Sequence, residues 1–202
     1  MATGPNSPAR PGPKPTLTQE AVVEAALDLI DAEGLGALNL RKLAAALGVS
    51  AMTPYSYFED KSALLDAMVG HALRALVPDR NSDAPWDLQL ESAMRGMHDS
   101  LERHPGVIEL ILAESDTDKL EEFRQALIAM LTAAGLTREQ STDALRTLTS
   151  YILGYTMLTR LRRGRAREPR PPHSFDHGLT LVMNSLRAEV SSRRQRPSSR
   201  AD

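Results

Sequence analysis

Apolar residues in this chain recur every three or four positions, and no segment alternates with a period of two. Val23, Ala26, Leu27 and Ile30 set the pattern at i, i+3, i+4 and i+7. Leu90, Met94, Met97 and Leu101 repeat it, as do Leu120, Phe123, Leu127, Met130, Leu131 and Ala134. Leu145, Leu148, Ile152 and Tyr155 come next, and then Phe175, Leu179, Val182 and Leu186. On a helix each set lies along one face, which must be buried against a neighbour. Aromatic residues are only 4% of the chain, while the good helix formers Ala, Leu and Arg are plentiful. The expectation is an all-α fold of about nine helices.

Glycines, prolines and capping residues mark the breaks. Residues 1–15 are rich in Pro, Gly and Ser and read as a disordered arm. Thr18 is the first N-cap, with Glu20 near the positive end of the helix dipole, and Gly34 stops that helix. A short second helix reads from about Leu40 to Leu47, capped by Asn39 and ended by Gly48. Ser50 caps a third, reaching about Phe58, with Pro54 near its first turn. The fourth starts at Lys61 or Ser62 and closes at Pro78; the acidic, Pro-containing stretch 79–85 is a boundary. Further helices end before Pro105, cover 106–113, halt at Gly135, and run from a Thr137 cap to about Arg163. Residues 164–173 hold three prolines and a glycine, so they form a loop before the last helix. The division is then an arm over 1–15, a small domain over 16–62, a larger one over 63–190 and a disordered tail over 191–202.

The small domain carries the chemistry. From Leu38 to Lys61 it reads as helix, tight glycine turn, helix, with Leu43, Ala44, Leu47 and Val49 holding the pair against the first helix. That is helix-turn-helix geometry, whose second helix enters the major groove of DNA. Ser50, Thr53, Tyr55, Ser56 and Tyr57 offer hydroxyls for phosphates or bases, and Ala51 and Met52 offer apolar contact to thymine methyls. Arg41 is placed for a bidentate contact to guanine, and Lys61 for a phosphate.

Beyond geometry, Ala25-Ala-Leu-Asp-Leu-Ile, Glu33-Gly, Leu40-Arg-Lys-Leu-Ala, Leu47-Gly-Val-Ser, Tyr55-Ser-Tyr-Phe and Lys61-Ser-Ala-Leu-Leu stand in register. From Thr18 to about Leu65 the chain resembles the N-terminal domain of the TetR family of bacterial repressors. Ser174-Phe-Asp-His-Gly-Leu is similar to the final-helix motif of the branch that includes the tetracycline repressor. The resemblance implies a DNA reader at Arg41, Ala51, Met52, Thr53, Tyr55, Ser56, Tyr57 and Lys61. Pro54 stands where an aliphatic residue is usual and Tyr57 where histidine is common.

It further implies a ligand-responsive regulator, a repressor released from double-stranded operator DNA by a small, largely apolar effector. Met94, Met97, His98, Phe123, Leu127, Met130, Tyr151 and Tyr155 are the expected pocket lining. So short a reading element calls for a homodimer spanning two half-sites. Leu145, Leu148, Ile152, Phe175, Leu179, Val182 and Leu186 are the expected interface seams, in a four-helix bundle between subunits.

Other features exclude more than they propose. The absence of cysteine rules out disulfides and thiolate metal sites. The first residues lack the apolar core of a signal peptide, and no run of about 18 apolar residues occurs, so a soluble, cytoplasmic protein with no membrane partner is expected. His173 and His177 have a ligand-compatible spacing, but Pro172 places His173 outside the helix and both read as solvated. No metal or cofactor is expected, and no histidine is clearly placed for a tetracycline–magnesium complex. The arginines from Arg160 to Arg170 read as a solvated loop, whereas Arg10 and Lys14 are placed to reach DNA as an arm. No phosphate loop, nucleophile elbow or metal triad suggests an enzyme. The alternative reading is a helical protein-interaction adaptor that does not bind DNA.

Overall fold

The computed structural model describes residues 17–78, 82–113, 118–163 and 174–194. Among them are eight α-helices and no strand: α1 (Gln19–Glu33), α2 (Leu40–Ala46), α3 (Lys61–Leu73), α4 (Trp86–Arg103), α5 (Gly106–Ala113), α6 (Asp118–Ala134), α7 (Arg138–Arg163) and α8 (Ser174–Arg194). The ninth expected helix, between Ser50 and Phe58, is instead a set of turns containing a 3-10 helix over Pro54–Ser56. The arm, the loop 164–173 with His173, and the end of the tail lie outside the described residues.

Capping chemistry places the helix starts where the sequence suggests. Thr18 Oγ1 accepts from the Ala21 N–H at 3.1 Å, and Asp60 Oδ1 accepts from the Ala63 N–H at 2.8 Å. At α7 the box is reciprocal: Thr137 Oγ1 accepts from Gln140 N–H, and Gln140 Oε1 accepts from Thr137 N–H. Each cap satisfies a backbone donor that has no partner within its helix.

One hydrophobic core runs through the chain. Val22, Leu27 and Leu43 of the N-terminal module join Leu64 and Met68 of α3, and these continue into Leu90, Leu110, Leu127 and Leu148. Leu27 and Leu64 have no exposed surface, so truncating either to alanine costs about 2–5 kcal/mol. Because α3 touches α1 on one side and α5 and α6 on the other, the small module is wedged against the bundle rather than tethered to it. None of the helices is long and apolar enough to cross a membrane, among the described residues.

Candidate nucleic-acid interface and ligand cavity

The reading element begins on α2. Asn39 Oδ1 accepts from the Lys42 N–H at 2.9 Å, and Lys42 pairs with Glu33 at the end of α1. Leu43 and Ala44 are buried beneath, which leaves Arg41 turned outward and exposed. Gly48 then takes a left-handed backbone, φ 66°, where a β-carbon is costly.

From Ser50 to Tyr57 the backbone is wound more tightly than an α-helix. The N–H groups of Thr53, Tyr55, Ser56 and Tyr57 each reach the carbonyl three residues back, at 2.9, 3.2, 3.1 and 3.1 Å. Pro54 is the cause: it has no N–H to give the carbonyl of Ser50, and the Thr53 N–H takes that acceptor instead. The Ser50 hydroxyl is 3.0 Å from Thr53 Oγ1, so it bonds a side chain and not the expected backbone N–H.

Within this short element Ala51, Met52, Tyr55 and Ser56 are exposed, Met52 by 71%. Thr53 is half-buried and its carbonyl accepts the Ser56 hydroxyl at 2.7 Å. Lys61, the first residue of α3, is exposed as well. Tyr57 differs from the expectation. It is half-buried against the core, and its hydroxyl donates to the Leu17 carbonyl at 2.6 Å. That phenol locks the turn onto the start of α1 and has its proton committed inward.

A cavity of about 380 Å³ lies among α4, α5, α6 and α7. Its apolar wall includes Met97, Ile111, Leu112, Leu120, Phe123, Ile128, Leu145 and Leu153. Its polar edge is Arg124 of α6 with Thr142, Arg146, Thr149 and Ser150 of α7. Only Met97 and Phe123 of the expected lining are there. Met94 and Leu127 are fully buried core side chains, and Met130 packs half-buried against that core. His98, Tyr151 and Tyr155 gather around Phe175: His98 stacks on it at 3.8 Å between ring centroids, and the tyrosines lie 5.6 and 5.4 Å away. His98 Nδ1 is 3.1 Å from the Thr156 hydroxyl. This aromatic cluster joins α4 to α7 and α8.

The seam residues are placed differently from the expectation too. Leu145, Leu148, Ile152, Phe175, Leu179 and Leu186 are buried within the single chain; Leu145 lines the cavity, and Val182 alone is half-buried. The periodicity marked the face of α7 and α8 that packs on their own subunit. Among the described residues, their exposed large apolar side chains are Met157, Leu158, Leu161 and Leu181.

Three contacts join cavity helices to α1, to the turn after it and to α3. Asp31 of α1 accepts from the Gly106 N–H at 2.7 Å at the start of α5, and lies 2.8 Å from His104 Nδ1. Asp66 of α3 accepts from the Lys119 N–H at 3.1 Å in the first turn of α6. Glu109 of α5 adds a third, accepting from the Leu35 N–H at 3.0 Å. Ligand atoms of Asp28, Asp31 and His104 fall within 4.8 Å of one another, the arrangement closest to a metal site among the described residues. There each oxygen of Asp31 already takes one hydrogen bond, from the Gly106 N–H and from His104.

Across the bundle, Arg187 of α8 holds Asp87 at 2.7 Å and Glu91 at 2.9 Å on α4. The hydrogen bond from Arg187 keeps the Asp87 carboxyl below its ordinary range. Hydrogen bonds from Arg95 and then Arg187 do the same for Glu91. Arg95 also pairs with Asp176, so α4 and α8 are joined by an ion network at their solvent edge.

The profile of bacterial regulatory proteins of the tetR family matches residues 22–68. That of the tetracyclin repressor-like C-terminal domain matches residues 77–190, more than half of the chain. The chain belongs to the TetR family. Among relatives, it is 35% identical over 152 residues to the HTH-type transcriptional repressor DrrR1 of Streptomyces coeruleorubidus, covering 71% of this chain and 54% of that protein. The chain thus spans about half the length of that relative. Among solved structures, Mycobacterium smegmatis BioQ superposes with a TM-score of 0.64 at 30% identity, covering 85% of this TetR-family chain and 99% of that one. BioQ with its natural double-stranded DNA operator superposes with a TM-score of 0.59 at 30% identity, over 86% of this chain and 99% of that one.

Proposed function

We propose that this TetR-family chain is a ligand-responsive transcriptional regulator that binds operator DNA and acts as a repressor in the cytoplasm. The observation that carries it is the set of side chains left outward by the helix-turn-helix: Arg41, Ala51, Met52, Tyr55, Ser56 and Lys61. A module built only for packing has no reason to expose Met52 and Tyr55 as well as Arg41 and Lys61. Arginine and lysine supply the phosphate and guanine contacts, the hydroxyls position the backbone, and the methionine suits a thymine methyl. Thr53 contributes through its carbonyl, which orients Ser56, and Tyr57 through the shape of the turn.

DrrR1 is a repressor by name and BioQ has been solved on its operator; both favour the same role here. One short element reads too few base pairs for a useful affinity, so a homodimer on two half-sites is part of the proposal. Its interface would use the apolar residues that α7 and α8 keep exposed, Leu158 and Leu181 among them, with Val182 beside them.

The α4–α7 cavity is the effector site in this reading. A ligand there presses on α5 and α6, whose first turns are bonded to Asp31 of α1 and Asp66 of α3. Differential affinity for two orientations of the reader is what converts occupancy into DNA release, on a scale of about 1–3 kcal/mol.

The test is a titration against DNA upstream of the protein's own gene at two salt concentrations. Tight, sequence-selective binding that weakens with salt is expected. If R41A, Y55A and K61A proteins bind as the parent does, the reader assignment is wrong.

A further inference from the structure

Resting on the reading of the α4–α7 cavity as the effector site, we infer that its ligand is an amphipathic anion: an apolar body carrying a carboxylate or similarly compact negative group. The charge of the wall argues for this. Among the described lining residues two are cationic, Arg124 and Arg146, and none is acidic. The two arginines come from different helices, α6 and α7, and face the same space. Thr142, Thr149 and Ser150 place hydroxyls along the same α7 edge, within two turns of Arg146. A guanidinium offers a planar fork of donors suited to a carboxylate, and hydroxyls complete its coordination.

Two of the acids paired with the arginines, Glu121 and Asp143, are not among the described lining residues. Arg124 pairs with Glu121 at 2.6 Å and Arg146 with Asp143 at 3.6 Å, each three residues apart on its own helix. Arg146 is 78% exposed and Arg124 40% exposed. Ion pairs so open to water contribute little and are exchanged readily for a better partner. A ligand whose body fills the apolar wall desolvates the arginine edge and makes its own charge that partner. A cationic ligand meets two like charges and gains no carboxylate from the described wall. A neutral one brings no charge to either guanidinium.

The experiment compares three probes with one hydrocarbon chain, decanoate, 1-decanol and decylammonium, by isothermal titration against the full chain. Decanoate is expected to bind at least about tenfold more tightly than decanol, the scale of one hydrogen bond to a charged group. Decylammonium is expected to bind more weakly than either. In R124M/R146M protein the ratio of decanoate to decanol affinity should fall towards one, and R124K/R146K protein should recover part of it. Comparable affinity for decanoate and decanol, or a preference that survives R124M/R146M, overturns the anionic-ligand inference and leaves the cavity reading intact. If T149W, which fills the cavity, leaves binding of the probes unaltered, or if none of the probes binds, the cavity reading fails and the inference falls with it.

Discussion

Asp31 and His104 lie 2.8 Å apart where α1 meets the turn between α4 and α5. A carboxylate can only accept, so His104 Nδ1 carries the proton in that bond. The other oxygen of Asp31 takes the Gly106 N–H, one of the unpaired donors at the start of α5. One side chain of the reader therefore fixes both sides of the corner from which a cavity helix departs. Gly106 completes the fit: a β-carbon there would come within 2.7 Å of Ile30 Cγ1 and 3.0 Å of the Ile30 carbonyl carbon.

Replacing Asp31 with alanine should therefore act twice. Leaving His104 and the Gly106 N–H without their acceptor costs about 1–3 kcal/mol in urea unfolding. In the proposed mechanism it also loosens α5 from α1, so an effector should release less DNA at equal occupancy. Asp31→Asn keeps one acceptor oxygen and should lie between. Equal stability and equal release for all three proteins would show that this corner transmits nothing.

Arg187 predicts an acid limb to stability. Asp87 and Glu91 have folded-state carboxyls held below their ordinary range, so their contribution is present at neutral pH and is lost as pH falls through about 4 and below. In Arg187→Met the carboxylates lose that partner, and stability at pH 7 should drop by about 0.5–1 kcal/mol, small because the pair borders solvent. The gap between parent and variant should narrow steadily from about pH 5 downward. Denaturant midpoints across that range check it, and a gap that widened in acid would contradict the assignment.

The helices were readable because each buries a continuous stripe and stops at a glycine, a proline or a capping residue. Thr18, Asn39 and Thr137 all cap as their positions suggest. The cavity was not. Met94 and Met97 belong to one seam, yet Met94 is in solid core and Met97 borders a void. Periodicity finds the buried face of a helix but not whether anything fills the space beyond it. Arg124 and Arg146 carry no such signal at all, since an arginine at a cavity rim and one on open surface read alike. The same ambiguity moved Leu145 from a supposed interface to the cavity wall, because a seam says that a helix is covered and not by which chain. At the reading element the sequence held the cue in Pro54, but the outcome depended on which N–H would take the carbonyl of Ser50.

Gly178 of α8 lies against the Tyr151 ring of α7. An added β-carbon would stand 2.2 Å from the Tyr151 hydroxyl, which donates to the Phe175 carbonyl at 2.8 Å. Gly178→Ala should force that phenol out of its bond and disturb the rings around Phe175, costing about 1–3 kcal/mol. The double change with Tyr151→Phe removes the clashing oxygen and should restore part of the loss. A thermal-melting cycle over the four proteins reads the coupling, and strict additivity would rule out the contact as the cause.

Tyr55 and Tyr57 give the sharpest separation of reading from scaffolding. They are two residues apart on the same turn, but Tyr55 is 46% exposed, while Tyr57 is half-buried with its hydroxyl on Leu17. Tyr57→Phe deletes one hydrogen bond and little else, so unfolding should become easier by about 0.5–1.5 kcal/mol. Operator affinity measured well below melting should then change by less than about threefold, under 1 kcal/mol. Tyr55→Ala should do the reverse, leaving stability within about 0.5 kcal/mol of the parent while weakening operator binding. Lys61→Ala supplies the reference for a charge contact: its effect should appear as a drop of about one in the salt dependence of binding. Neither tyrosine variant should alter that slope, because neither removes a charge. If Tyr57→Phe instead lost operator affinity with its stability intact, the phenol would have to leave Leu17 on DNA and contact the duplex itself.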